Sequence, residues 1–388
     1  MNAATYRLSF WRALFWLLVA GGLVLTAVRF IEGLGSVTNL SDMYPWGLWK
    51  AFNVICGIGL GGAGFTIMAA VYVFNVERFR PIVRPAILLA FLAYSSAAVA
   101  LAVDIGRTWN IWHPIVFWNK ASVLFDVAWC LMLYTCVLVL EGSGILFERM
   151  GWKKLQKIQH AITLPAVIIG VILSTLHQSS LGSLFLIVPG KLHAIWYTPM
   201  LPVFFFVSAV CVGLAVLILL ARITGKAFGA PISMPLVTGL ARVLVAGLWV
   251  YGVTRIFDLW VRGALSAAFD FSYESRMFLL EIALLVLVPG VLLATRKAMY
   301  NLRTLQVGAV FVVLGFIANR LNVSIVGFEW FQGGHYTPAF SEVVISLSLP
   351  AMALGAYVWI AKYLAIFPAR SAAPVASPAP AGGVLATG

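Results

Sequence analysis

The feature that most constrains this chain is a series of apolar stretches, each close to the length of a membrane-crossing helix, separated by short polar loops. A helix needs about 20 apolar residues to cross the hydrocarbon core of a bilayer. Ten stretches meet this requirement, at about 10–31, 51–74, 86–106, 120–140, 161–178, 200–221, 239–261, 275–295, 305–325 and 342–364. Only 10% of the residues are charged, against about 25% in an average soluble domain. The sequence therefore predicts an all-α polytopic membrane protein.

The basic residues predict how these spans are oriented, because short loops that stay in the cytoplasm carry an excess of lysine and arginine. They lie in alternate loops and include Arg78, Arg80, Arg84, Arg149, Lys153, Lys154, Lys157, Arg222, Lys226, Arg296, Lys297 and Arg303. The other loops are rich in Trp, Pro and Gly. We therefore expect both termini to be cytoplasmic. On this interpretation the net charge of +13 reports orientation and not nucleic-acid binding.

Carboxylates at matching positions predict an internal repeat. Asp104 ends the third span and Asp258 the seventh, while Asp126 and Glu281 lie at similar depths in the fourth and eighth. We expect two four-helix bundles in parallel repeat, at about 50–180 and 200–325, with flanking helices, in a membrane domain of residues 1–370. Residues 371–388 are rich in Ala and Pro and are predicted to form a disordered cytoplasmic tail.

Three side chains able to carry protons gather toward the side of the spans with the aromatic loops: Asp104, Asp126 and His177. A charge in hydrocarbon costs roughly 2.5–3.5 kcal/mol, so it usually marks function. Asp126 has no opposite charge within a turn of its own helix. It must find a partner across helices, stay protonated or face water. The polar strip Gln178 and Ser179 follows His177. These residues predict a site near one face of the bilayer.

Two arginines allow a simpler explanation. Asp104 and Arg107, like Arg255 and Asp258, are three residues apart, so each pair can neutralise itself on one helix. Glu281 has no such neighbour and, like Asp126, favours function. For Arg107 and Arg255, both a purely structural ion pair and a functional role remain open.

The histidines and cysteines indicate that no redox cofactor resides in the chain. A bis-histidine haem needs two histidines that face each other within the bilayer. His113, His193 and His335 fall in outer loops, and His160 and His177 lie at opposite ends of one span. The four cysteines are scattered through apolar segments and form no cluster site. We expect no haem, no iron–sulfur cluster and no bound metal.

The glycine run from Gly57 to Gly64 lies in the middle of the second span and has no flanking strand, so it does not fit a nucleotide-binding loop. Its two overlapping G-x-x-x-G spacings predict a face for close helix packing.

Several motifs together resemble a known family. They are Pro45-Trp-Gly-Leu-Trp49, Val73-Phe-Asn75, Arg84-Pro-Ala86, Asp104-Ile-Gly-Arg107 with Trp109-Asn110, Ser122-Val-Leu-Phe-Asp126, Leu146-Phe-Glu-Arg149 with Gly151-Trp152, and His177-Gln-Ser-Ser180 with Gly182-Ser183. With these motifs the sequence resembles the NrfD/PsrC-like integral membrane subunits. It is most similar to the membrane, so-called cytochrome b, subunit of hydrogenase-2 type nickel–iron hydrogenases. The family usually has glutamate where this chain has Asp126, which shortens the reach of the carboxylate by one methylene.

The resemblance implies a subunit of a bacterial inner membrane that passes electrons to a quinone, either menaquinone or ubiquinone. Its implied partners are a ferredoxin-like iron–sulfur subunit and a periplasmic catalytic pair, the hydrogenase large and small subunits, besides membrane lipid. Within that role we predict Asp104, Asp126 and His177 as the catalytic residues. The predicted quinone-binding residues are Arg107, Trp109, Asn110, Gln178 and Ser179, and Glu281, Arg255 and Asp258 are predicted to form a proton relay from the cytoplasm.

Two other interpretations of the residues remain open. In the first, the chain is a passive anchor whose buried carboxylates only hold helices together. In the second, it is a secondary transporter, which should show broken helices at matching positions in both halves. Between Val203 and Ala221, span six has only Gly213 as a potential break, so the pattern matches a transporter poorly.

Overall fold

The computed structural model of the protein describes residues 10–228, 233–364 and 366, with the side chains of 222–228 left aside. The predicted tail at 371–388 and the basic side chains of Arg222 and Lys226 lie outside this part. Within it, ten helices are long and apolar enough to cross a membrane. They are α1 Phe10–Glu32, α2 Trp49–Val73, α3 Glu77–Asp104, α4 Val123–Met150, α5 Lys153–Ser183, α6 Leu201–Phe228, α7 Met234–Val261, α8 Tyr273–Leu292, α9 Leu302–Gln332 and α10 Phe340–Tyr363. The predicted all-α polytopic fold is confirmed.

The boundary between α4 and α5 differs most from the prediction. We expected α4 to end near residue 140 and α5 to begin near 161, but the two helices are separated only by Gly151 and Trp152. Gly151 has φ of 69° and ends α4 in a left-handed conformation, and its N–H donates to the carbonyl of Glu148 at 3.3 Å. Glycine adopts this conformation without a Cβ penalty, so it terminates the helix there. Both helices therefore continue about ten residues beyond their apolar cores.

Contacts between loops define two ends of the helix bundle. We call the end with segments 33–48, 105–122, 184–200, 262–272 and 333–339 the aromatic end, and the end with segments 74–76, 151–152 and 293–301 the basic end. At the basic end, Arg84 of α3 contacts Glu148 of α4 at 2.7 Å. At the aromatic end, Lys50 of α2 lies 3.4 Å from Asp104 of α3. Consecutive helices thus run in opposite directions.

The glycine run lets α2 lie in the centre of the bundle, where 72% of its apolar window is buried. A methyl group placed on Gly62 would lie 2.5 Å from the carbonyl oxygen of Ala209 in α6, and one on Gly213 would lie 2.5 Å from the amide nitrogen of Ala63. Two helix backbones touch here without intervening side chains. The predicted packing role of the glycines is confirmed.

Three of the ten helices contain short π-helical segments, at Trp49–Cys56 and Ala69–Val73 in α2, Ala283–Leu287 in α8 and Asn322–Val326 in α9. Such bulges often occur at functional sites because they redirect side chains within a helix. Here they hold Lys50, which lies beside Asp104, and Asn322, which donates to Glu281. The predicted division into two four-helix repeats stays a prediction.

Candidate functional site

Asp104 is buried at the aromatic end, where three helices meet. Its nearest cation is Lys50, 3.4 Å away on α2. The guanidinium of Arg29 comes from the last turn of α1 and donates to two carbonyls near the end of α3, at 2.6 and 2.5 Å. Arg107, the partner that sequence spacing offered, is exposed. The ion pair of Asp104 therefore joins helices and is not local to one of them.

Glu342, at the start of α10, joins three segments beside Asp104. Its carboxylate accepts hydrogen bonds from the backbone N–H groups of Asn39 at 3.1 Å and Ala339 at 2.7 Å, and from the hydroxyl of Tyr336. Its backbone carbonyl accepts from the Trp49 indole at 3.1 Å. Burial and the adjacent Glu342 carboxylate raise the pKa of Tyr336, so this phenol keeps its proton and donates it.

His177 lies fully buried in α5. Its ring centroid is 5.5 Å from that of Tyr94 on α3, in an edge-to-face arrangement. Neither ring nitrogen has a hydrogen-bond partner among the residues that the structure describes. The next residue, Gln178, donates to the carbonyl of Ile58 in α2 at 3.1 Å, and the half-buried Ser179 accepts through its carbonyl from Ser183. The imidazole is therefore buried without a hydrogen-bond partner among the described residues.

The remaining predicted quinone-site residues of the first half lie on the outer surface of the bundle. Asp126 is exposed in the first turn of α4. Trp109 has 70% of its surface exposed, and Arg107 is also exposed. Asn110 is half-buried in the short turn Thr108–Asn110. These residues form part of a polar and aromatic loop that an isolated chain leaves uncovered.

The three predicted catalytic residues thus have different neighbours. Asp104 contacts Lys50, His177 contacts Tyr94, and Asp126 faces outward. No hydrogen bond or ion pair joins any two of the three within the described ranges. Their action on one ligand stays a prediction.

Glu281, the first predicted relay residue, is fully buried in α8 and completely satisfied. Its carboxylate accepts from Asn319 at 2.7 Å, from Asn322 at 2.9 Å and from the indole of Trp196 at 3.1 Å. Asp126, its counterpart in the predicted repeat, is exposed. The two positions therefore differ in burial, although their sequence offsets match.

Arg255 and Asp258, the other two relay residues, form the ion pair that their spacing allowed, with 3.8 Å between nitrogen and oxygen. Asp258 also contacts Arg262 at 2.8 Å and accepts from Thr198 at 2.7 Å. The Arg255 guanidinium donates to the carbonyl of Ile195 at 3.0 Å. This network fixes the loop before α6 onto α7.

Sequence reasoning missed a second group of polar side chains, in the interior of the first half. Glu141, which is 6% exposed, Tyr134, Ser174 and Tyr94 are all buried in α3, α4 and α5. Neither carboxylate oxygen of Glu141 has a hydrogen-bond partner in the described part of the chain, and the Ser174 hydroxyl lies within reach of the hydroxyls of Tyr94 and Tyr134. A glutamate inside an apolar run was the available signal, but ending the predicted span at residue 140 assigned Glu141 to a loop.

One cavity opens at each end of the helix bundle. At the basic end, a polar cavity of about 570 Å³ reaches Glu141. At the aromatic end, a cleft of about 210 Å³ is lined by Trp46, Phe328, Phe331 and Lys191, and by Ser324, whose buried hydroxyl oxygen has no partner within the described residues. Aromatic walls with a few polar groups are typical of sites for small ring-shaped ligands.

The histidines do not fit a haem site. His177 contacts Tyr94, His193 contacts Trp196 and Trp330, and His335 contacts Tyr273. His113 packs on Trp112, and His160 lines the cavity at the basic end. Over the described ranges, no group of three or more His, Cys, Asp or Glu residues is arranged to hold a metal ion. The absence of haem from the working protein stays a prediction.

Comparison with known proteins gives consistent matches over most of the chain. The family model described as "Polysulphide reductase, NrfD" matches residues 36–332. A relative named "Probable Ni/Fe-hydrogenase 2 b-type cytochrome subunit" of Escherichia coli is 34% identical, covering 89% of each chain. The "Menaquinone reductase, integral membrane subunit" of Nitratidesulfovibrio vulgaris is 27% identical, over 92% of this chain and 91% of the relative. The "Hdr-like menaquinol oxidoreductase integral membrane subunit" of Archaeoglobus fulgidus is 22% identical, over 86% and 88%.

Proposed function

The chain belongs to the NrfD polysulphide reductase family, and from that premise we propose that it is the quinone-reactive membrane subunit of a respiratory oxidoreductase complex. Two of its relatives carry menaquinone or menaquinol in their names, and a third is named as a hydrogenase subunit. A hydrogenase is the partner enzyme that we propose first. Menaquinone is the electron acceptor that we propose with it, because two relatives are named for menaquinone or menaquinol.

We propose that the aromatic end faces the periplasm and the basic end the cytoplasm. The lysine and arginine bias supports this orientation, since Arg78, Arg80, Arg84, Lys153 and Lys154 all lie at the basic end. The periplasmic catalytic subunits and an iron–sulfur protein would then dock on the aromatic end. The exposed loop around Trp109 is the part of that end that we assign to docking.

The observation that carries the proposed chemistry is the unpartnered imidazole of His177. Reduction of a quinone to a quinol consumes two electrons and two protons, and one proton is added to each ring oxygen. The electrons come from the iron–sulfur partner. In this proposal His177 donates a hydrogen bond and then a proton to one oxygen, and the paired Asp104 with Lys50 serves the other. Asp126, Gln178 and Ser179 complete the proposed site, together with Arg107, Trp109 and Asn110.

Glu281 with Arg255 and Asp258 stays our proposed relay of the second half. Its hydrogen bonds come from amide and indole groups, which do not release protons near neutral pH. A proton on this relay would therefore have to be carried by the Glu281 carboxylate itself.

The test uses the complete complex, purified with its partner subunits. His177→Gln and Asp104→Asn should each lower quinone-dependent turnover at least about 100-fold, since loss of a general acid costs about 10²–10⁴ in rate. Asp126→Asn, in the same proposed site, should lower it as well. The oxidation of the primary substrate by a soluble dye, which takes electrons before they reach this subunit, should be unchanged. Co-purification of the partners should also be unchanged.

The same measurement tests the passive-anchor alternative. A passive anchor predicts that every variant that still assembles reduces quinone at the wild-type rate. Unchanged turnover in both His177→Gln and Asp104→Asn would therefore reject the proposed site. A complex that reduces dyes but shows no quinone reduction would reject the proposed function as a whole.

A further inference from the structure

We propose that Glu141 is the point at which protons from the basic side of the membrane are taken up, and that a row of buried polar side chains in the first half conducts them to His177. The inference rests on the proposed function, since it supplies the protons that quinone reduction consumes. It assigns proton uptake to a residue outside the predicted relay of Glu281, Arg255 and Asp258.

Glu141 sits well inside the bundle. It lies nine residues from Met150, the last residue of α4, or roughly 13 Å along the helix axis. Only 6% of its surface is exposed. Both carboxylate oxygens lack a hydrogen-bond partner within the part that the structure describes. An unpartnered carboxylate at this depth is costly, and side chains of this kind usually mark proton or ion pathways.

The cavity at the basic end gives Glu141 access to water. It has a volume of about 570 Å³, which is ample for several water molecules. Its polar lining includes Arg84, Glu148, Gln156, Gln159, His160 and Thr163. Arg84 and Glu148 form an exposed ion pair at its rim. The cavity therefore connects the surface of the basic end with a carboxylate inside the membrane domain.

From Glu141 the polar row continues toward the aromatic end between α4 and α5. A methyl group placed on Gly170 would lie 3.7 Å from a carboxylate oxygen of Glu141 and 3.7 Å from the ring of Tyr134. Glu141 and Tyr134 are seven residues apart and share one face of α4. The same methyl group would lie 3.0 Å from Cγ1 of Val137, so the missing side chain at Gly170 lets α5 approach this face of α4 closely, beside Glu141 and Tyr134.

The second part of the row reaches His177. The ring centroid of Tyr134 is 4.6 Å from that of Tyr94, and that of Tyr94 is 5.5 Å from that of His177. Ser174, one turn before His177 on the same face of α5, adds a further hydroxyl. Both ring nitrogens of His177 lack a hydrogen-bond partner among the described residues, and the Ser174 hydroxyl lies within reach of the hydroxyls of Tyr94 and Tyr134. Hydroxyl and imidazole groups can each accept one proton and donate another.

The second half offers no comparable route at Glu281. Its side chain is fully buried and lines neither of the two described cavities. Each carboxylate oxygen already accepts hydrogen bonds from side chains of α9 or from Trp196. Glu281 is part of a closed network, whereas Glu141 lies at the boundary between a cavity and an open row. Each proton that enters at Glu141 displaces one along the row. The last one leaves His177 for a quinone oxygen, so every side chain returns to its starting state.

The first experiment measures access and does not depend on turnover. In the complete complex with Cys136 replaced by serine, Glu141→Cys should react with a small charged methanethiosulfonate reagent added on the basic side of sealed vesicles. Reaction from the aromatic side should be at least about tenfold slower. Leu138→Cys, a buried position on the same helix, is the matched control and should not react. A Glu141→Cys thiol that does not react from the basic side overturns the inference.

The second experiment measures proton movement in liposomes that contain the complex, with a membrane-potential dye. Glu141→Gln should reduce the potential generated per quinone reduced at least about tenfold. Gly170→Val, which crowds Val137 beside Glu141 and Tyr134 without changing a titratable group, should act in the same direction. Gly142→Ala, next to Glu141 but facing open space, should behave as wild type. Gly170→Val also provides a second variant if Glu141→Gln does not assemble.

The outcomes separate the inference from the proposed function. Wild-type potential in both Glu141→Gln and Gly170→Val overturns the inference. A wild-type complex that reduces quinone without generating a potential also overturns it, and leaves the proposed function intact. A complex that does not react with quinone at all overturns the proposed function and the inference together.

Discussion

Single side chains at the aromatic end show how charge is held inside this protein. Asp104, Arg29 and Glu342 are all buried, and each is ion-paired or hydrogen-bonded to groups from other helices or loops. Burying a charge without such partners is far more costly than burying an apolar group. Residues of this kind therefore fix the relative positions of helices as well as serving the proposed site.

The pair of Lys50 with Asp104 gives a direct prediction at this scale. Lys50→Met leaves the Asp104 carboxylate without its nearest cation, which should cost about 1–3 kcal/mol of stability. The apparent Tm of the purified protein should fall by roughly 5 °C. Lys50→Arg should recover most of the loss because it keeps the charge. Lys154→Met, an exposed lysine at the basic end, should leave the Tm unchanged. Equal Tm values for Lys50→Met and Lys154→Met would contradict the assigned pairing.

His193, in the loop between α5 and α6, predicts a pH dependence. Burial lowers its pKa, although Glu274 and Asp270 act in the opposite direction. The unfolded chain, with a His pKa of about 6.5, therefore takes up a proton before the folded chain does, and stability is lost as pH falls below that value. Protonation would also remove the Nδ1 acceptor for the N–H of Ile195, which lies 3.3 Å away.

The measurement compares the apparent Tm of wild type and His193→Asn between pH 8 and pH 5. The two curves should be parallel above pH 7, where His193 is neutral in both states. Below about pH 6.5 the wild type should lose stability more steeply than the variant. A variant that loses as much stability as the wild type over this range would show that His193 is not the responsible group.

Whole helices in this protein are positioned by backbone contact as much as by side chains. Gly213 of α6 lies against the backbone of Gly62 and Ala63 in α2. Gly213→Val would force these helices apart, and overpacking of this kind costs about 1–3 kcal/mol or more. We expect a clear loss of folded protein, measured by size-exclusion chromatography in detergent. Gly142→Ala, also in a helix but facing open space, should be neutral or slightly stabilising. Normal yield for Gly213→Val would show that the contact is not tight.

The sequence predicted the existence of the helices correctly but misplaced some of their ends. The apolar stretches identified all ten spans, because the cost of exposing polar backbone in hydrocarbon makes spans long and uniform. Their ends were placed less well, because polar residues continue a helix beyond the bilayer core. The consequence was specific: ending α4 at 140 hid Glu141, which lies nine residues before the real end at Met150.

The residues of the candidate site could be predicted only in part, because their partners come from distant parts of the chain. Asp104 and His177 could be singled out because charged and imidazole groups are rare in apolar spans. Their partners could not, since Lys50 and Tyr94 are 54 and 83 residues away along the chain. Asp126 is exposed and Glu281 is buried because different helices cover the two positions. The matching sequence spacing of the two carboxylates in the predicted repeat carries no information about such neighbours.

The orientation of the whole molecule is the last prediction, and both proposals depend on it. A fluorescent protein fused after Gly388 should fluoresce, because such fusions fold in the cytoplasm and not after export through the membrane. Alkaline phosphatase inserted in the 105–122 loop should be active, since it requires the oxidising periplasm. The same enzyme inserted at Gly151 is the matched control and should be inactive. An inverted pattern would place the aromatic end in the cytoplasm, where a periplasmic enzyme could not dock, and would make the cavity at Glu141 face the periplasm. The 105–122 loop precedes α4 and Gly151 follows it, so the two insertion sites are separated by the full length of α4. If α4 crosses the membrane, the two sites lie on opposite sides and the phosphatase activities must differ.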